Sequence, residues 1–192
     1  MNDLKQYAIF LSVIIFFTMG INSLRKNMHL ELVTSNVNKK DYYVRKLPDK
    51  QQAADKLGNL TLRLKKLISH VQNDMRDGVD RLESRFNSDI ITENIPGSKY
   101  VAYSVNKGQE LSICIRDKET NNFIDDNTVT FVAIHELSHI MSKSTGHTEE
   151  FWDNMKYLLE QASDIGIYSP VDYGTNPIVY CGEEINSTPL NI

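Results

Sequence analysis

His135-Glu136-Leu137-Ser138-His139 is an HExxH pattern and carries the most specific chemistry in the sequence. Spacing of four puts two imidazoles on one helix face, one turn apart, where both can hold a single ion. Glu136 then lies beside the metal rather than on it, placed to take a proton from a metal-activated water and later pass it to a leaving amine. His147, just past Gly146, is a third candidate ligand that a helix–turn–helix would fold back onto the metal. Three protein ligands with one open position is the catalytic arrangement, whereas a structural site is usually closed by a fourth. Zinc suits such a site because it binds imidazole well, has no redox chemistry and accepts changes in coordination number. The other two histidines, His29 and His70, read as incidental. An oxyanion would also need a donor. Tyr168, Tyr173 and Tyr180 follow the motif, and nothing in the sequence selects among them.

These residues need a rigid carrier. Apolar Phe131 to Ile134 lead into the motif, and the pattern predicts a helix from Thr128 to about Thr145, capped by Asp126 or Asn127 and stopped by Gly146. A second helix follows, with Glu149 and Glu150 in its first turn, a core stripe of Phe151, Trp152, Met155, Leu158, Leu159 and Ala162, and a stop at Gly166. Upstream, apolar residues recur at spacings of three and four from Lys50 to Val71, predicting a helix that Gly58 weakens without ending. A shorter helix is expected over Val79 to Phe86. After Pro96-Gly97 the period changes to two, in Tyr100 to Val105 and Glu110 to Arg116, joined by the turn Asn106-Lys107-Gly108-Gln109. If the second run is an edge strand, Ser112, Ile113, Cys114 and Ile115 are candidate substrate-binding residues that pair with an extended peptide. An ordinary sheet strand is the alternative. The segment from Ile167 reads as irregular.

The N-terminus is different material. No charged side chain occurs between Lys5 and Arg25, and residues 6–24 would span about 28 Å as a helix, close to the thickness of a bilayer core. The run reads as an uncleaved membrane anchor, with a cleaved signal peptide or a buried helix as competing readings. Arg25, Lys26, Lys39 and Lys40 follow it, which by the positive-inside tendency leaves the C-terminal domain in the cytosol. Residues 1–100 carry 16 Lys and Arg against 11 Asp and Glu, and residues 101–192 carry 5 against 14. The basic surface therefore lies away from the motif, and a dedicated nucleic-acid binder is not indicated. Cys114 and Cys181 form no CxxC pair, which excludes a cysteine-rich zinc site, and whether they meet is not readable from sequence. An inhibitory Cys114 thiolate near zinc is one option and an ordinary strand cysteine the simpler one.

Over HELSHIMSKSTGHTEEFW the sequence resembles the WLM and SprT-like zinc metallopeptidases. His135, Glu136 and His139 match their motif, His147 their third ligand, and Phe151-Trp152 an aromatic pair behind it. The segments KLPDKQQAADKLGNL, YSVNKGQELSICIRDK and PVDYGTNPIVYCGEEI extend the resemblance to WLM-type proteins of large eukaryotic DNA viruses, and put Cys181 in a Tyr-Cys-Gly motif. The resemblance implies a compact zinc protease core, with a strand before the active-site helix; some members cleave proteins crosslinked to DNA. This sequence departs from the nuclear members of the group in lacking their basic or zinc-finger tails.

The expected fold is α+β: an N-terminal transmembrane helix, a helical segment, and a small antiparallel sheet packed on the HExxH helix. The expected organisation is an anchor at 1–24, a tether at 25–41 and a metallopeptidase domain at 42–192, with a helical part 42–95, a catalytic core 99–166 and a tail 167–192. The expected function is that of a membrane-anchored zinc endopeptidase acting on proteins, at a cellular or viral membrane or in a virion. Two alternatives are a non-catalytic virion or membrane protein with a zinc-stabilised fold, and a DNA-dependent protease of crosslinked proteins using a basic patch at Arg63, Lys65 and Lys66.

Overall fold

The computed structural model describes residue 7 and residues 28–98, 102–105 and 110–190. The expected membrane span lies outside these residues except for Tyr7, as does the expected hairpin turn at Asn106–Gln109. Among the described residues, no helix is long and apolar enough to cross a membrane.

Two strands, β1 (Leu30–Thr34) and β2 (Asp41–Arg45), precede helices α1 (Lys50–Val71) and α2 (Val79–Arg85). Strands β3 (Ile91–Glu93), β4 (Ala102–Val105) and β5 (Glu110–Ile113) follow, then helices α3 (Asp126–Met141) and α4 (Glu149–Asp164). A ribbon of β6 (Ile178–Tyr180) and β7 (Glu183–Ile185) comes last. The five-stranded sheet has the order β1-β2-β3-β5-β4.

The mixed α+β architecture holds, and three expectations are corrected. The tether contains β1, which pairs antiparallel with β2 from Leu30↔Arg45 to Thr34↔Asp41. The sheet is mixed rather than antiparallel, because β2–β3 and β3–β5 are parallel. The β2–β3 join follows from connectivity: α1 and α2 carry the chain from β2 back to the start of β3, as a parallel crossover requires. The segment after residue 167 is also not wholly irregular, since it forms the β6–β7 ribbon.

Helix α1 buries Ala53, Ala54, Leu57, Leu60, Leu64, Leu67 and Val71, and this stripe packs against β2 and α3. Gly58 has a packing reason, because a Cβ there would stand 2.5 Å from the Ser35 hydroxyl in the β1–β2 connection. Arg116, just past β5, fixes the start of α1 while only 2% exposed. Its guanidinium donates to Glu93 at 2.8 Å and to both oxygens of Asp49 at 2.6 and 2.8 Å, over the Phe123 ring at 4.0 Å. The fork geometry suits bidentate pairing and accounts for buried Glu93 in β3. Asp49, at the α1 N-cap, is held below the usual carboxylate range by this arginine, and its side chain makes no cap bond.

Candidate metal centre and active-site cleft

Helix α3 is buried on nearly every side, against α1, α2, α4 and β4. Its N-cap is Asp125, one residue before the expected caps, and its carboxylate accepts from the Thr128 amide at 2.8 Å. The helix stops at Met141, earlier than expected, because Ser142 takes extended backbone (φ −80°, ψ 142°). A buried polar ladder holds that stop: the Ser142 hydroxyl donates to the Ser138 carbonyl at 2.7 Å and accepts from the Asn154 amide of α4 at 3.0 Å. The loop thus released, with Gly146 at φ 84°, returns His147 to the helix face that carries His135 and His139.

Glu150 tightens this loop. Its carboxylate accepts from the Lys143 amide at 2.8 Å, the Ser144 amide at 3.0 Å and the Ser144 hydroxyl at 2.7 Å. Those bonds, the Lys143 amide foremost, hold Glu150 down to about 2. Thr148 caps α4 through the Phe151 amide at 3.4 Å.

One potential ligand atom from each of His135, His139 and His147 lies within 4.8 Å of the others. The His135 and His147 Nε2 atoms are 3.1 Å apart. Two ligands on one tetrahedral zinc, at about 2.0–2.1 Å each, would stand about 3.3 Å apart, so the spacing fits. Burial, followed by the neighbouring His139 and His147, pulls His135 down to about 3, leaving it neutral, the form that binds metal. The three imidazoles therefore fit a zinc ion in geometry, and His135 fits it in protonation as well.

Phe151 is a residue whose role the sequence pattern did not disclose. It is fully buried, and its ring lies 4.8, 4.3 and 4.7 Å from the rings of His135, His139 and His147. One aromatic floor thus supports all three candidate ligands. Trp152 stands 5.6 Å from His147 and faces the cleft.

That cleft holds about 270 Å³ in front of His135 and Glu136. Phe131, Val132, Trp152 and Met155 form its helical wall, and Ala102 of β4 its sheet side. Tyr180 and Glu183–Ile185 of the β6–β7 ribbon form the opposite wall. Glu136 is only 7% exposed. Of the three tyrosines left open as oxyanion donors, Tyr180 reaches the cleft, but its hydroxyl donates to the Cys114 carbonyl at 2.5 Å. Tyr168 and Tyr173 pack their rings 6.1 and 4.7 Å from Phe131.

The substrate-binding expectation at Ser112, Ile113, Cys114 and Ile115 is corrected. Strand β5 lies between β3 and β4, so it is no edge, and all four residues are buried. Within the five-stranded sheet, the strand that borders the cleft is β4, whose outer side takes no strand among the described residues. Cys114 is disulfide-bonded to Cys181, which removes the inhibitory-thiolate option. His70 pairs with Gln161 on the far end of α1, away from the trio. In the expected basic patch, Arg63 is tied to Asp126 and Thr130, and Lys66 donates to the Ile165 carbonyl.

A mixed sheet, an HExxH helix and a third histidine returned by the following loop define a zinc-metallopeptidase type of core. The WLM domain profile matches residues 38–176, and the chain belongs to the WLM family, whose members are generally zinc metalloproteases. The uncharacterized protein R325 of Acanthamoeba polyphaga mimivirus is 32% identical over 164 residues, covering 82% of this chain and 83% of that protein. The uncharacterized protein 136R of Invertebrate iridescent virus 6 is 32% identical over 129 residues, covering 65% and 70%. Among solved structures, Wss1 from Saccharomyces cerevisiae superposes with a TM-score of 0.51 at 17% identity, covering 64% of this chain and 86% of that one. The last comparison shows a shared fold.

Proposed function

We propose that this protein is a zinc-dependent endopeptidase whose metal is held by His135, His139 and His147, with Glu136 as the general base. The convergence of three imidazoles, with His135 and buried Glu136 lining a cleft, carries this reading. When bound, zinc supplies Lewis acidity, which lowers the pKa of water and polarises a carbonyl. The chain supplies the rest. Glu136 holds the proton taken from water and returns it to the leaving amine. The outer side of β4, which takes no strand among the described residues, pairs an extended peptide backbone across the cleft, which favours sequence-tolerant cleavage of protein substrates. Buried Phe131 and Met155, with partly exposed Trp152, give one substrate side chain an apolar seat.

The uncharged run at residues 6–24 supports attachment of this domain to a membrane, cellular or viral, by a single pass. Partition of the full chain into a detergent phase, lost on deletion of residues 1–24, tests that part. The DNA-dependent reading is carried by no described contact, with Arg63 and Lys66 engaged internally. Stimulation of cleavage by single-stranded DNA with a steep salt dependence would support it.

Glu136→Gln tests the enzymatic reading. The variant should bind zinc and fold like the wild type while hydrolysis of an unfolded protein falls by several orders of magnitude. Unchanged hydrolysis would remove Glu136 from the reaction. A wild type that binds zinc but cleaves nothing across a broad panel would favour a zinc-stabilised structural protein.

A further inference from the structure

The ribbon wall of the cleft is fastened unlike the helical wall. Strands β6 and β7 pair with each other and with no strand of the five-stranded sheet. Their turn is Cys181–Gly182, with φ of 51° and 85°. A two-residue turn of this hand suits glycine or asparagine at both places, and a cysteine in the left-handed region is strained. Cys181 nevertheless occupies it, fully buried, with its sulfur bonded to Cys114 just past β5. One residue earlier, Tyr180 is buried, donates to the carbonyl of that same Cys114, and lines the cleft with Glu136. The next residues, Glu183–Ile185, line the cleft as well. A strained turn, a covalent bond and a buried hydrogen bond thus converge on one attachment point, and that point holds a wall of the active site.

We propose that the Cys114–Cys181 disulfide is a redox clasp on the cleft, holding the β6–β7 wall against β5 when closed and releasing it when reduced. The proposal rests on the peptidase reading for its consequence, which is weaker peptide binding by the reduced protein. A dithiol reductant opens the clasp. The S–S bond accepts two electrons and two protons and becomes two thiols, while the reductant's thiols join in a disulfide of their own. A disulfide oxidant reverses the exchange. Cys114 is 9% exposed and Cys181 fully buried, so attack falls first on Cys114. The three histidines sit on α3 and the α3–α4 loop, supported by Phe151, whereas the bridge joins the end of β5 to the β6–β7 turn. The metal therefore stays bound in both states. Such a clasp confines full activity to oxidising surroundings, where disulfides persist.

The test uses the full, zinc-loaded chain with a quenched fluorogenic peptide, before and after treatment with a water-soluble phosphine. The phosphine gains oxygen from water as the bridge becomes two thiols, which thiol labelling counts. Reduction should raise KM at least tenfold with zinc content unchanged, and reoxidation should restore it. A C114S/C181S variant should show the reduced KM and ignore the phosphine. An unchanged KM on full reduction overturns the proposal, as does a wild-type KM in the double variant. If that variant does not fold, the reduction and reoxidation series decides alone. Hydrogen exchange separates this claim from the peptidase reading: if no peptide is cleaved in any state, reduction should still speed exchange across residues 178–187 at least tenfold and leave α3 unchanged. Equal protection in both states overturns the clasp whatever the chemistry of the cleft.

Discussion

The two walls of the cleft are built by opposite means. The helical wall is local: α3, a short loop and α4 are consecutive, and caps, the Ser138–Ser142–Asn154 ladder and the Phe151 floor fix its ligands. The ribbon wall is remote, brought home by a disulfide between residues 67 apart and by one tyrosine hydroxyl. Metal affinity should therefore depend on close neighbours in sequence, and the shape of the cleft on a distant covalent link.

Phe151→Ala would break the helical wall most severely. Emptying a fully buried ring costs about 3–5 kcal/mol, and here the cavity would open beneath all three ligands. Denaturant unfolding should show that loss, and zinc should dissociate more readily from whatever remains folded. A zinc affinity equal to that of the wild type would mean the ligands need no floor.

Opening the ribbon wall should cost less. For the separation of 67 residues, the chain-entropy model gives the closed loop about 4 kcal/mol of stabilisation, and native strain at Cys181 reduces what is realised. C114S/C181S should therefore lose about 2–4 kcal/mol by urea unfolding. Its zinc content should match the wild type, in contrast with Phe151→Ala. Loss of zinc in the double variant would dissolve the distinction between the walls.

The smallest effect falls on the loop that carries His147. Glu150 has a folded pKa of about 2, depressed below its ordinary 4.5. Its contribution to stability is therefore present above about pH 4.5 and lost as pH falls toward 2. Because Glu150 is about a third exposed, screening limits this to under about 1 kcal/mol. Metal-free Glu150→Gln should melt slightly below the wild type at neutral pH, and the gap should close as pH falls through that window. A gap that does not depend on pH would assign the effect to lost packing rather than charge.

The same division marks what could be read from sequence. The gathering of the three histidines was legible because helix periodicity is local, and α1 runs over Lys50–Val71 as its apolar spacing predicts. HExxH, the loop glycine and His147 needed no distant partner to be recognised. The parallel order of the sheet was not legible, since β3 is three residues whose Thr92 and Glu93 are buried polar groups, and Glu93 is satisfied by Arg116. Strand β1 lay hidden in a polar stretch because Leu30 alone of its five residues is buried. The ribbon did leave a trace: Cys181-Gly182 stands between Ile178–Tyr180 and Glu183–Ile185 with hairpin spacing. Its pairing with Cys114 left none, because two cysteines on separate elements meet only once the sheet has formed.

Bound zinc per chain, measured on the purified full-length protein and on His147→Ala, tests the central claim most directly. The three-ligand site predicts about one zinc per wild-type chain and its loss, or a large drop in affinity, in the variant. A folded wild type that takes up no zinc on reconstitution would contradict the account, as would a variant that holds zinc as tightly as the wild type.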